Sequence, residues 1–144
     1  MKIEKFEKKH LEQVVSISQN IFESGWTQKQ FEQELSKPNS ANFVLTDQDE
    51  VIGFIFTSVN FETLEILDLG IAKRYQGHGY AKLLVQQVLD FCEDNAVEKV
   101  FLEVNTNNTR ANNLYKSFGF QINRVRKNYY GSDDCIEMIL YPEN

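Results

Sequence analysis

Two glycines one residue apart, Gly77 and Gly79, stand between a β-rich run, Leu67-Asp68-Leu69-Gly70-Ile71, and a helix-periodic run that begins near Tyr80. A strand that turns through glycines into a helix start ties the chain to an α/β layering. It also gives that layering a chemical property. The first helical turn leaves backbone N–H groups unpaired, the aligned peptide dipoles add partial positive charge, and glycine lets an anion approach with no Cβ in the way. The loop Gln76-Gly77-His78-Gly79-Tyr80-Ala81-Lys82 is therefore expected to hold a pyrophosphate. Two familiar nucleotide loops are excluded by residue type. A P-loop needs Lys-Ser/Thr after its last glycine, and neither Gly-Lys-Ser nor Gly-Lys-Thr occurs. A dinucleotide fingerprint needs Gly or Ala at the sixth position from Gly77, where Lys82 stands, and opens an early βαβ unit rather than a mid-chain loop.

The remaining pattern fills in a mixed α/β domain. Residues 3–6 predict a short strand, and Leu11, Val14, Val15, Ile17 and Ile21 give residues 9–22 a helical stripe. Thr27-Gln28-Lys29-Gln30 reads as a capping box, with Trp26 and Phe31 placed as its hydrophobic staple and Pro38 closing the segment. Residues 41–46, 51–60 and 63–71 predict an antiparallel meander, the first two joined by the turn Asp47-Gln48-Asp49-Glu50. Residues 79–95 return to helical period (Leu84, Val88, Phe91, Cys92) and 98–105 alternate at period two. That strand-helix-strand order predicts a parallel pair. Asn108 or Thr109 caps a helix to Phe118, Gly119 stands as its C′ residue with Phe120 packing back, and strands at 121–127 and 135–141 complete the sheet. Without repeats or low-complexity segments, the 144 residues are expected to form one domain, 1–144.

Composition removes several classes of function. The chain is 42% hydrophobic with 11 Phe and 6 Tyr, ample for a core. Its net charge of −6, with no Lys/Arg run longer than two, argues against nucleic acid and suits a basic partner. Cys92 and Cys135 show no metal-ligand spacing, which predicts free thiols in a reducing compartment and no metal. The lack of a long apolar run predicts no membrane span and a cytoplasmic protein.

The pattern Gln76-x-x-Gly79-x-Ala81, its long helix, Phe101-Leu102-Glu103-Val104, Asn108 and Asn113-Leu114-Tyr115-Lys116-Ser117-Phe118-Gly119-Phe120 together resemble the GNAT superfamily of N-acyltransferases over most of the chain. Within it, Leu114-Tyr115, Gly119-Phe120, Arg126-Lys127-Asn128-Tyr129-Tyr130 and the early Trp26-Thr27 with Phe31 are similar to bacterial enzymes that acetylate the N-terminal alanine of a small-subunit ribosomal protein. Gly25 and Lys73 each stand where those enzymes commonly have proline. Ala81 replaces the loop's last glycine, and Glu137 an apolar residue. The resemblance implies a GNAT fold: a mixed central sheet of about six to seven strands, about four flanking helices, and splayed central parallel strands. It implies acetyl-CoA as cosubstrate, bound by Gln76 to Lys82, by Asn108, and by the backbone of Leu69, Gly70 and Ile71, one of whose N–H groups near Ile71 meets the oxyanion. The implied acceptor is the N-terminal peptide of a ribosomal protein, received by Trp26, Tyr129 and Tyr130, with the enzyme a monomer or weak dimer. A small-molecule amine acceptor, or a CoA-binding regulatory module without turnover, are the alternatives.

Direct transfer from a thioester needs a neutral amine, hence a proton acceptor. Glu103 is the candidate. Val100, Leu102 and Val104 point one way along its strand, so Phe101, Glu103 and Asn105 face the other, and a carboxylate on a mostly buried strand needs a task or a partner. An N-terminal amine, pKa about 7.7–8.0, is an easier target than a lysine near 10.4. Tyr115 is the family-matched donor to the leaving thiolate. A phenol near 10 is a weaker acid than a thiol near 8.5, so hydrogen bonding is its main service. Cys92 reads as core, which favours direct transfer over a covalent intermediate.

Overall fold

The computed structural model describes residues 1–37, 40–127 and 134–142. Pro38, Asn128, Tyr129 and Tyr130 lie outside them. Among the described residues the chain forms seven strands: β1 (Lys2–Lys5), β2 (Phe43–Asp47), β3 (Glu50–Asn60), β4 (Thr63–Ile71), β5 (Lys99–Asn105), β6 (Gln121–Arg126) and β7 (Cys135–Leu140). They form one sheet in the order β1-β2-β3-β4-β5-β7-β6. The β4–β5 pair is parallel and the other five are antiparallel. Among the described residues, four α-helices pack on the sheet: α1 (Leu11–Ile21), α2 (Gln28–Glu34), α3 (Tyr80–Asp94) and α4 (Thr109–Ser117).

Helix starts follow the local signals. The Thr27 hydroxyl accepts from the Gln30 amide at 3.2 Å, and the Gln30 side chain accepts from the Thr27 amide at 2.7 Å, closing the capping box. Trp26 stacks on Phe31 at 5.1 Å as the staple. The first helix starts later than periodicity predicted: Lys8–His10 form a tight 3-10 turn, in which buried His10 accepts the Glu7 amide at 3.0 Å.

Two cores result. On one side α1 and α2 cover Phe54 and Phe56, which pack with Phe6 and Phe31. On the other, Leu84, Val85, Val88 and Cys92 of α3, with Tyr115 and Phe120, cover Ile52, Ile55, Leu64, Ile66, Val100 and Leu102.

The hairpin between β3 and β4 has only Phe61 and Glu62 between the pair Asn60↔Thr63. Phe61 sits at φ 57° with its ring 88% exposed. Left-handed backbone costs an L residue roughly 1–2 kcal/mol and glycine almost nothing, against about 0.5–1 kcal/mol of extra glycine entropy in the unfolded chain. Phe61→Gly is therefore expected to stabilise the protein by about 0.5–1 kcal/mol, read as a higher urea midpoint at unchanged slope.

The feature that makes room for a site is where β4 and β5 part. Their pairing covers only Thr63–Ile66 against Lys99–Leu102. At that point β4 also slips against β3: Thr57 pairs with Ile66 but Phe56 with Asp68, leaving Leu67 as an extra residue. Such a bulge bends and twists the strand that carries it. Beyond it β4 stays with β3 as far as Gly53↔Ile71, while β5 stays with β7 as far as Asn105↔Cys135. The bulge is braced by side chains. Asn42 Oδ1 accepts the Thr57 amide at 2.7 Å, Thr57 Oγ1 donates to the Ala41 carbonyl at 2.9 Å, and Asn42 Nδ2 donates to Glu34 Oε1 at 3.1 Å. Lys37 pairs with that same buried glutamate.

Candidate active site

A cleft of about 560 Å³ fills the opening, bounded by Leu69, Gly70 and Ile71 of β4, the loop before α3, and the first turns of α4. Gly77 and Gly79 adopt φ 83° and 80°, and a Cβ on either would meet no atom of the described residues within 4 Å. Among the described residues nothing fills the space a side chain would take, which is the cradle an anion needs. Gly79 caps α3, and Tyr80, Ala81 and Lys82 continue the lining into the helix. Gly70 is a glycine for another reason: a Cβ there would lie 2.7 Å from both Ile21 and Phe54.

Gln76 is a brace between the two walls. Its Nε2 donates to the Ile71 carbonyl at 2.9 Å, and its Oε1 accepts from Arg110 at 3.0 Å. Arg110 lines the cleft with Lys82, giving it two cations. Sequence reading missed Arg110, because an exposed helix cation looks like any solvated charge until the loop from 34 residues away meets it. Asn108 both lines the cleft and caps α4, its Oδ1 accepting the Ala111 amide at 3.1 Å. His78 is exposed, packs on Tyr80 at 5.7 Å between ring centroids, and stands outside the cleft lining. Tyr75, Asn113, Leu114 and Ser117, which belong to or adjoin the motif stretches but carried no expected binding role, also line the cleft.

Glu103 faces the side opposite Val100, Leu102 and Val104, as alternation requires, and it has a partner. Its side chain is 38% exposed and accepts from Arg126 at 2.7 Å. The strand's inner face is buried while its outer face carries polar neighbours. Glu137 is its register partner on β7, held by Asn123 at 2.7 Å and Arg124 at 3.6 Å. That explains why an acidic residue is tolerated at position 137. Glu65 shares the face, and burial first, then the negative charges of Glu103 and Glu137, push its carboxyl up.

Tyr115 comes from the other face, 6% exposed, with its ring 5.5 Å from Phe120. Burial, and then the charge of Asp68, drive its phenol well above the usual range. Cys92 is fully buried and pushed up to about 11, consistent with a core thiol. Trp26 packs on Phe56 at 5.4 Å as well as on Phe31, so its packing role is met, on the same sheet side as Glu103. Tyr129 and Tyr130 fall outside the described residues.

Asp68 was not singled out by sequence reading. It is half-buried, and desolvation raises its carboxyl to about 6 against the opposing effect of the Leu69 amide that it accepts. An acid raised above its unfolded value binds a proton more readily when folded. Stability therefore falls as pH rises from about 4 to 6, and the cost is fully present at neutrality. Asp68→Asn is expected to raise stability by about 2 kcal/mol at pH 7.5, and to give no gain near pH 3.5, in denaturant melts at the two pH values.

The sequence matches the acetyltransferase (GNAT) family over residues 11–120. It is 30% identical over 128 residues to the ribosomal protein bS18-alanine N-acetyltransferase of Escherichia coli strain K12, covering 86% of each chain. The crystal structure of the ribosomal-protein-S18-alanine N-acetyltransferase from Escherichia coli superposes with a TM-score of 0.92 at 27% identity, covering 99% of this chain and 94% of that one. Ard1 from Thermoplasma volcanium superposes at 0.91 and 28% identity, covering 99% and 98%.

Proposed function

The chain belongs to the acetyltransferase (GNAT) family, and from that premise we propose that this acetyl-CoA-dependent N-acetyltransferase modifies the N-terminal alanine α-amine of a small-subunit ribosomal protein, in the cytoplasm. The observation that carries the reading is the two-sided opening between β4 and β5. A phosphate cradle and two cations line one side, and carboxylates stand on the other.

Acetyl-CoA, when bound, supplies the activated thioester. Gly77, Gly79, Tyr80 and Ala81 offer backbone N–H groups to its pyrophosphate, with Lys82, Arg110, Gln76 and Asn108 around them and His78 at the rim. The free edge of Leu69, Gly70 and Ile71, released from β5 by the bulge, pairs with the pantetheine amides, and an N–H near Ile71 faces the developing oxyanion. Glu103 engages the acceptor ammonium, exchanging Arg126 for it, and begins its deprotonation directly or through water. Tyr115 hydrogen-bonds the departing sulfur. Trp26 receives the peptide, a role that the family resemblance extends to Tyr129 and Tyr130. The acidic face suits a cationic terminus, and an α-amine near 7.7–8.0 asks less of a carboxylate than a lysine would.

The test is CoA thiol release with a peptide copying the ribosomal protein's N-terminus, beside the same peptide with its α-amine blocked. Release only with the free amine supports the assignment. Release with neither, while acetyl-CoA still binds, sinks it and points to a small amine.

A further inference from the structure

Past the last β4–β5 pair, Ile66↔Leu102, each strand presents one carboxylate to the α1/α2 side of the opening: Glu103 on β5 and Asp68 on β4. Asp68 is there because of the bulge. It pairs with Phe56, which packs against Trp26 and Phe31 on that side. Side chains alternate along a strand, so without the extra residue Leu67 position 68 would turn to the opposite face, where Leu64 and Ile66 meet α3.

The two carboxylates are held differently. Glu103 is solvated and ion-paired with Arg126. Asp68 is half-buried, accepts the Leu69 amide, and is paired with no cation among the described residues. Leu69 lines the cleft, so Asp68 stands one peptide unit from the thioester's place, and Tyr115 from the other face lies within reach of its charge. A carboxylate desolvated without a cation, at the junction of both substrate sides, is a cost that a fold carries for a task.

We infer that Asp68 is a second catalytic residue of the transfer, its carboxylate being the final acceptor of the proton that Glu103 begins to draw from the acceptor ammonium; this rests on the amine-acetylating function proposed above. The ammonium loses one proton to a carboxylate oxygen of Asp68, which becomes the neutral acid. The freed lone pair forms the C–N bond to the thioester carbonyl carbon, and the C–S bond breaks with its electron pair on sulfur. A second N–H proton reaches that sulfur by way of the Tyr115 hydroxyl, and Asp68 then returns its proton to solvent. An acid at about 6 lies about two units below an α-ammonium, roughly half the gap an ordinary aspartate near 3.9 would face.

The experiment compares wild type with Asp68→Asn on the best primary amine from a panel of ribosomal-type peptides, other N-terminal peptides and small amines. Failure of the ribosomal peptide alone then falls on the acceptor assignment and not on Asp68. The expected result is a kcat lowered about 100-fold with the KM for acetyl-CoA nearly unchanged. A thermal midpoint at pH 7.5 at or above that of wild type shows that the variant is folded. On the same acceptor carrying a β-fluorinated, less basic first residue, the deficit is expected to shrink at least about tenfold, because that amine is already largely neutral. A fall in kcat of less than about tenfold, or an equal deficit on both amines, overturns the inference.

Discussion

Gly79→Val is expected to weaken acetyl-CoA binding about 100-fold or more while leaving the fold intact. Gly79 holds φ 80° at the cap of α3, a conformation that a β-branched residue pays to adopt, and among the described residues no atom lies within 4 Å of where its Cβ would stand. The new side chain therefore meets the phosphate. Strain of roughly 1–2 kcal/mol and the loss of one charge-assisted N–H contact, about 1.5–3 kcal/mol, together correspond to two or more decades of affinity. Titration calorimetry with CoA reads the loss, and a thermal melt reads the fold. Gly70→Ala is the contrast. Its Cβ collides with Ile21 and Phe54, so it lowers stability first. Retention of affinity by Gly79→Val within about threefold would place the phosphates elsewhere.

Tyr115→Phe is expected to lower kcat about 100-fold with little change in the KM for acetyl-CoA. Among the described residues the Tyr115 hydroxyl has no hydrogen-bond partner, so the fold loses no bond when it is removed. The ring, which packs on Phe120, is kept. With its pKa driven up, the phenol stays protonated across working pH, which suits donation of a hydrogen bond to sulfur and rules against a standing phenolate. The decisive readout is the split between kcat and KM in the thiol-release assay, alongside a melt. An unchanged kcat would return Tyr115 to the core as a packing residue.

Much of this was legible in the chain because the signals are local. The capping box at Thr27, the Gly119 terminus at φ 96°, the two-residue turn at Gln48 and Asp49, and β4 itself over Thr63–Ile71 each depend on residues within a few positions of one another. The glycine pair before α3 is of the same kind, and so is the alternation that sends Glu103 away from Leu102. Period-two and period-3.6 patterns are properties of a short segment, and sequence order then arranges strand, helix and strand into a parallel pair.

What the segments could not contain is how they meet. The bulge at Leu67 depends on Asn42 capturing the Thr57 amide from another strand, and that one-residue slip decides which side Asp68 faces. The solvation of Glu103 depends on Arg126 from β6, and the closure of the cleft on Gln76 reaching Arg110. The chain's own pattern established the strand-loop-helix that can hold a phosphate and the order of elements around it. Only the packed sheet decided where β4 and β5 part and which carboxylates stand at that opening, because register is a long-range choice and a shift of one residue sends every later side chain to the other face.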